Sequence, residues 1–114
     1  MNVRGILEEL PGKVLGGHEG LEASVTGAYV GDLLSCVMAK ARAGNIWVTI
    51  QSHPNIVAVA VVTGLAGIIV ADDTPLDPVT LDRASAERVP IVSTPLDSFS
   101  VAGALWEMGI RGAR

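Results

Sequence analysis

The side chains here that could transfer a proton, bind a metal or attack a carbon are two histidines, one cysteine, twelve carboxylates and a few hydroxyls. His53 is the most suggestive, because it stands in the polar run Gln51-Ser52-His53-Pro54-Asn55. An imidazole flanked by two amides and a hydroxyl could contact a phosphate or another polar ligand. The same Ser-His-Pro-Asn string is also ordinary turn chemistry, so both readings stay open. His18 with Glu19 and Glu22 would be a metal cluster, but the other histidine lies far along the chain and no usual ligand spacing results. Ser35 and Ser52 have no general base beside them. Cys36 falls in a helical pattern, where a lone thiol behaves as a small buried hydrophobe. Gly12, Gly16, Gly17 and Gly20 match neither the P-loop nor the dinucleotide fingerprint, and Glu19 and Glu22 would repel phosphate there. A noncatalytic protein with no metal and no cofactor is the expectation.

Any site must be assembled by secondary structure, and the hydrophobic pattern predicts an α/β fold with a largely parallel sheet. Residues 2–10 read as a short helix from the spacing of Val3, Ile6, Leu7 and Leu10. Lys13 to Leu15 and Glu22 to Gly27 read as brief extended pieces. Asp32 is placed to cap a helix whose buried face is Leu33, Leu34, Val37, Met38 and Ala41, closed by Gly44. Asn45 to Ile50 is β-branched and aromatic, hence a strand. Pro54 fits the first turn of a helix over about 54–64, as the crossover to a parallel strand at Gly67 to Ala71. Asp77-Pro78 opens a further helix, Pro90 to Ser93 is a short strand, and Thr94-Pro95 opens the last helix, stopped by Gly109. There, Phe99, Ala102 and Trp106 form one stripe, and Val101, Leu105 and Met108 another.

Strands alternating with helices are βαβ units, and ligands of open parallel sheets bind beyond the carboxyl ends of the strands. Three loops qualify: Gln51 to Asn55, Ala71 to Thr74, and Ser93 to Thr94, with Thr26 to Asp32 as a fourth. The candidate ligand-binding residues are therefore Thr26, Gln51, Ser52, His53, Asn55, Asp72, Ser93 and Thr94. The competing reading is that Asp32, Asp77 and Thr94 simply cap helices.

Composition narrows the setting. A chain of 114 residues makes one domain, 1–114, that buries roughly 65% of its unfolded surface. Half the residues are hydrophobic but only four are aromatic, so aliphatic side chains must fill the core. Twelve acidic against eight scattered basic residues disfavour nucleic acid as a partner. A single cysteine suits a reducing compartment, and no signal-peptide run opens the sequence, so the cytoplasm is expected. The uncharged stretch from Ala43 to Ala71 is cut by Gln51 to Asn55 and falls short of a membrane span. A mean hydropathy of +0.46 leaves room for an apolar patch that takes a protein partner, with Trp106, Met108 and Ile110 as candidates.

Four segments carry a family resemblance: Val25-Thr26-Gly27-Ala28-Tyr29-Val30-Gly31-Asp32-Leu33-Leu34, Gly44-Asn45-Ile46-Trp47-Val48-Thr49-Ile50-Gln51, Pro54-Asn55-Ile56-Val57-Ala58-Val59-Ala60 and Pro90-Ile91-Val92-Ser93-Thr94-Pro95. Together they resemble the DRTGG domain, and small stand-alone bacterial members above all. The resemblance implies a small three-layer βαβ sandwich like the noncatalytic N-terminal domain of HPr kinase/phosphorylase. It also implies an accessory, regulatory role, as in some phosphate acetyltransferases and in pyrophosphatases with CBS domains. Kinase activity is not implied, since that belongs to a P-loop domain absent here. The Gly44 to Ile50 segment is also similar to a uridine-nucleotide-contacting strand of Mur ligases. The Asp-Arg-Thr-Gly-Gly string itself is missing, and Gln51 to Asn55 stands where many members carry an Asp-Arg turn. A regulatory homo-oligomer, a dimer, sensing a nucleotide or small anionic metabolite is the expected function, and a ligand-free interaction module is the alternative.

Overall fold

The computed structural model describes residues 1–113. Four strands, β2 (Gly27–Val30), β3 (Asn45–Thr49), β4 (Gly67–Val70) and β5 (Ile91–Ser93), run parallel. A fifth, β1 (Lys13–Gly16), adds antiparallel to β5, giving the order β1-β5-β4-β3-β2. The crossovers are α2 (Leu34–Lys40), α3 (Asn55–Thr63) and α4 (Pro78–Glu87), with α1 (Val3–Leu7) before the sheet and α5 (Ser98–Glu107) after it. The expected three-layer α/β sandwich is the fold observed.

Alternation along the central strands builds two cores. Trp47, Ile68, Val70 and Ile91 face Val37 of α2, Ile56 and Ala60 of α3 and Ala84 of α4. Ile46, Val48, Ile69 and Val92 face Val3 and Ile6 of α1 and Val101 and Leu105 of α5. Strands covered on both faces read as near-continuous apolar runs, which is why β4 and the middle of β3 are apolar and both strands are buried throughout, with Asn45 and Thr49 as the buried polar ends of β3. The Val-Ala-Val-Ala-Val-Val run of α3 has strand-like residues, yet tertiary context makes it a helix, as the need for a crossover requires.

Several expectations are corrected. The first helix is shorter than 2–10 and stops at Leu7, although Leu10 still reaches the core. The extended piece over 22–27 is displaced: the strand starts at Gly27, in register with Asn45, and Ser24 makes only an isolated bridge to Asn2. Most of the supposed loop from Thr26 to Asp32 is therefore strand. Its run of four residues is too short for a period-two signal, and pairing with β3 decides its conformation. Cys36 is half-buried. On α5, Val101 and Leu105 are buried, whereas Phe99 and Trp106 are 86% and 59% exposed, so only one of the two predicted stripes faces the core.

Candidate functional site

The carboxyl ends of β2, β3, β4 and β5 lie along one edge of the sheet, about 14 Å across at the usual strand spacing. Hydrogen bonds tie the loops beyond them into one surface. Asp32, just past β2, takes the hydroxyl of Thr49 (2.8 Å) and the backbone N–H of Ile50 (2.9 Å) on its Oδ1. Gln51 answers by donating its side-chain amide to the Asp32 carbonyl (2.9 Å), while its backbone N–H donates to Thr49 Oγ1 (3.1 Å). Asp32 is thus a brace between the first two loops, not the expected helix cap. The N-cap of α2 is Leu33, which has no side-chain acceptor. A carboxylate beside a neighbouring strand end finds two donors there, the Thr49 hydroxyl and the Ile50 N–H.

The remaining loops are joined in the same way. The Ser52 carbonyl accepts from Thr80 Oγ1 on α4 (2.7 Å), and the backbone N–H of Asn55 donates to His53 Nδ1 (3.3 Å). A ring nitrogen that accepts is unprotonated, so in the neutral ring Nε2 carries the hydrogen and points an N–H donor outward. The side chains of His53 and Asn55 are exposed. Past β4, Ala71 to Thr74 makes a tight turn in which Asp72 and Asp73 both adopt left-handed backbone (φ 61° and 51°). That conformation is uncommon outside glycine, although aspartate tolerates it better than most residues. It lets the N–H groups of Asp72 and Asp73 reach the carbonyls of Leu96 and Thr94 in the next loop. Thr94 is buried, and its hydroxyl donates to the Pro11 carbonyl while accepting from Leu96 N (3.3 Å). It therefore does not cap α5; Asp97 does, accepting from Ser100 N (2.7 Å). Asp77 caps α4 as expected, through Val79 N (2.9 Å).

Gln51, Ser52, His53, Asn55, Asp72, Ser93 and Thr94 accordingly share one edge. Thr26 does not. It precedes β2 at the opposite edge, where its hydroxyl donates to the Ala43 carbonyl and accepts from the Asn45 amide (3.0 and 3.2 Å). There it lines a separate hollow of about 300 Å³ with Met1, Met108 and Arg111. Of the residues expected to take a protein partner, Trp106 is exposed under the Arg111 guanidinium (3.8 Å to the ring centroid), Met108 is half-buried and Ile110 belongs to the core.

The sequence reading missed three contributors. Asp32 and Thr49 organise the edge, and the signal was available: a carboxylate two residues past a strand, next to a strand ending in a buried threonine. Lys13 is the third. Because β1 is antiparallel, Lys13 pairs with Ser93 and brings a cation to the same edge. Against it stand Asp32, Asp72, Asp73, Asp77 and Asp97, so the edge is acidic. Among the described residues no group of carboxylate, histidine and cysteine side chains is arranged to hold a metal ion.

Comparison with known proteins accords with this geometry. The DRTGG domain family matches residues 5–108. No curated protein matches the sequence. Among solved structures, the CBS and DRTGG domains of the regulatory region of Clostridium perfringens pyrophosphatase, complexed with the activator diadenosine tetraphosphate, superpose with a TM-score of 0.76 at 16% identity. The alignment covers 91% of this chain and 45% of that one, so this chain spans less than half of that regulatory region.

Proposed function

Because the chain belongs to the DRTGG domain family, we propose that it is a noncatalytic regulatory domain of the cytoplasm that senses a nucleotide or similar small anionic metabolite and acts as a homo-oligomer. The observation that carries this reading is the braced edge at the carboxyl ends of the parallel strands, where bonded loops hold exposed His53 and Asn55 side by side at the start of α3. A nucleotide activator in the pyrophosphatase regulatory region supports the ligand class.

The acidity of the edge favours a nucleotide over a bare anion. A base and ribose can hydrogen-bond to the Asn55 amide and the outward Nε2–H of His53, whereas a free phosphate would meet five aspartates and gain little from Lys13. Ser52, next to His53, and Ser93, two strands away along the same edge, are half-buried and add hydroxyls to it.

Isothermal titration with adenine, guanine and uridine nucleotides, diadenosine tetraphosphate and inorganic phosphate tests the proposal. Saturable binding of a nucleotide class, weakened at least about tenfold by Asn55→Ala at unchanged melting temperature, is expected; one lost bond to a bound group is worth about that much. His53→Ala should weaken it similarly but also costs a little stability, since the ring accepts from Asn55 N. Binding indifferent to both substitutions would exclude this edge.

A further inference from the structure

The outer face of the α2–α3–α4 layer carries an apolar groove of about 360 Å³ between α3 and α4, lined by Val57, Val61 and Val62 on one side and by Arg83, Ala86 and Glu87 on the other. Val62 is 73% exposed. Exposed valines on a helix gain nothing from water and are unfavourable by propensity, so their presence points to burial against something else. Val79, also exposed, continues the stripe of Arg83 and Ala86 along α4 at i, i+4 and i+7.

The charges say what that something is. Arg83 and Glu87 are opposite in sign and one turn apart on the same face of α4. Among the described residues neither is in an ion pair, and an arginine preceding a glutamate is the weaker order for a pair within one helix. A two-fold axis crossing α4 midway between them would set Arg83 against the partner's Glu87, and Glu87 against the partner's Arg83. Ala86 lets the two helices approach closely, and Val61 and Val62 would meet the same apolar groove on the other copy. Such a surface is complementary to itself, which is the requirement of an isologous contact.

We propose that this α3–α4 face is the interface through which two copies of the chain dimerise antiparallel, with reciprocal Arg83–Glu87 pairs about the two-fold axis and Val61 and Val62 flanking them. The inference rests on the homo-oligomeric part of the function proposed above and assigns the surface that would form it.

Sedimentation equilibrium of the wild type, Arg83→Glu, Glu87→Arg and the double reversal tests it. Each single reversal brings like charges together twice across the axis and should raise the dimer dissociation constant about tenfold or more. The double reversal restores opposite charges and should bring it back to within about threefold of the wild type, while Val62→Asp should leave a folded monomer. A wild-type dimer insensitive to the reversals would overturn this face and leave the oligomeric reading standing. A wild type that stays monomeric at about millimolar concentration would overturn both.

Discussion

Asp32 shows how much one misplaced role can hide. Its carboxylate holds the buried Thr49 hydroxyl and the Ile50 amide, so the loop that carries His53 is positioned from a neighbouring strand. Asp32→Ala leaves both donors without their acceptor and should cost about 1–3 kcal/mol. Urea denaturation measures the loss, and hydrogen exchange should show it concentrated in residues 50–55. Asp32→Asn keeps an acceptor oxygen and should lose less. Asp97 makes a prediction of another kind. The backbone N–H of Ser100, and then its hydroxyl, hold the Asp97 carboxyl below its ordinary value. With the folded value depressed relative to the unfolded one, the stabilisation is complete above the unfolded value. It is lost as pH falls through the folded one, from roughly pH 4 downward. Asp97→Asn retains a capping oxygen but does not titrate, so its stability should fall less steeply over that acid range, as read by melting temperature against pH.

The three longest helices end alike, and this uniformity is itself a test. Two consecutive residues just past each of α3, α4 and α5 donate back to its last turns: Gly64 and Leu65 to Val61 and Ala60, Arg88 and Val89 to Ser85 and Ala84, and, after Met108, Gly109 and Ile110 to Trp106 and Leu105. Such an ending requires a left-handed residue, which is glycine in two cases and Arg88 (φ 58°) in the third. Arg88→Gly should therefore stabilise the protein by about 0.5–1 kcal/mol, measured by thermal or urea unfolding, because glycine meets no Cβ clash there. Helix ends of this sort were legible in the sequence where punctuation was strong. Asp77-Pro78 and Gly109 were identified correctly, and so were the crossovers, because their apolar runs are bounded by turn residues. Thr94-Pro95 misled because two capping residues stand three apart and only packing assigns the Thr94 hydroxyl to Pro11. Strand β2 was hidden for a related reason: Gly27 to Val30 has no pattern of its own and becomes a strand by lying beside β3.

At the scale of the whole molecule, the order of the sheet explains why the polar loops gather at one edge. Successive strands β2 to β5 are neighbours and their helices α2, α3 and α4 all cross one face. The next helix, α5, leaves β5 over the other face, so the loops after β4 and β5 diverge, and divergence of that kind opens a crevice in parallel sheets. Here the crevice is drawn shut by the Asp72 and Asp73 N–H groups bonding to Leu96 and Thr94. The sequence places Gln51 to Asn55, Asp72, Ser93 and Thr94 at one edge because strand ends can be counted. It could not reveal the antiparallel β1 that delivers Lys13, nor that Thr26 lies at the far edge, since both depend on long-range pairing. Charge follows the same geometry: five aspartates gather at the edge in a chain of formal charge −4. A phosphate-bearing ligand held there through its base and ribose must bring its charge toward them, and added salt screens that repulsion over a Debye length of about 10 Å at 0.1 M. Nucleotide affinity should therefore strengthen, by about two- to threefold, between about 0.05 and 0.5 M salt, the reverse of the usual trend for phosphate ligands. Calorimetric titration at several salt concentrations measures the slope. Affinity that weakens steeply with salt would mean that cations such as Lys13, not the amide and imidazole of Asn55 and His53, supply the binding energy.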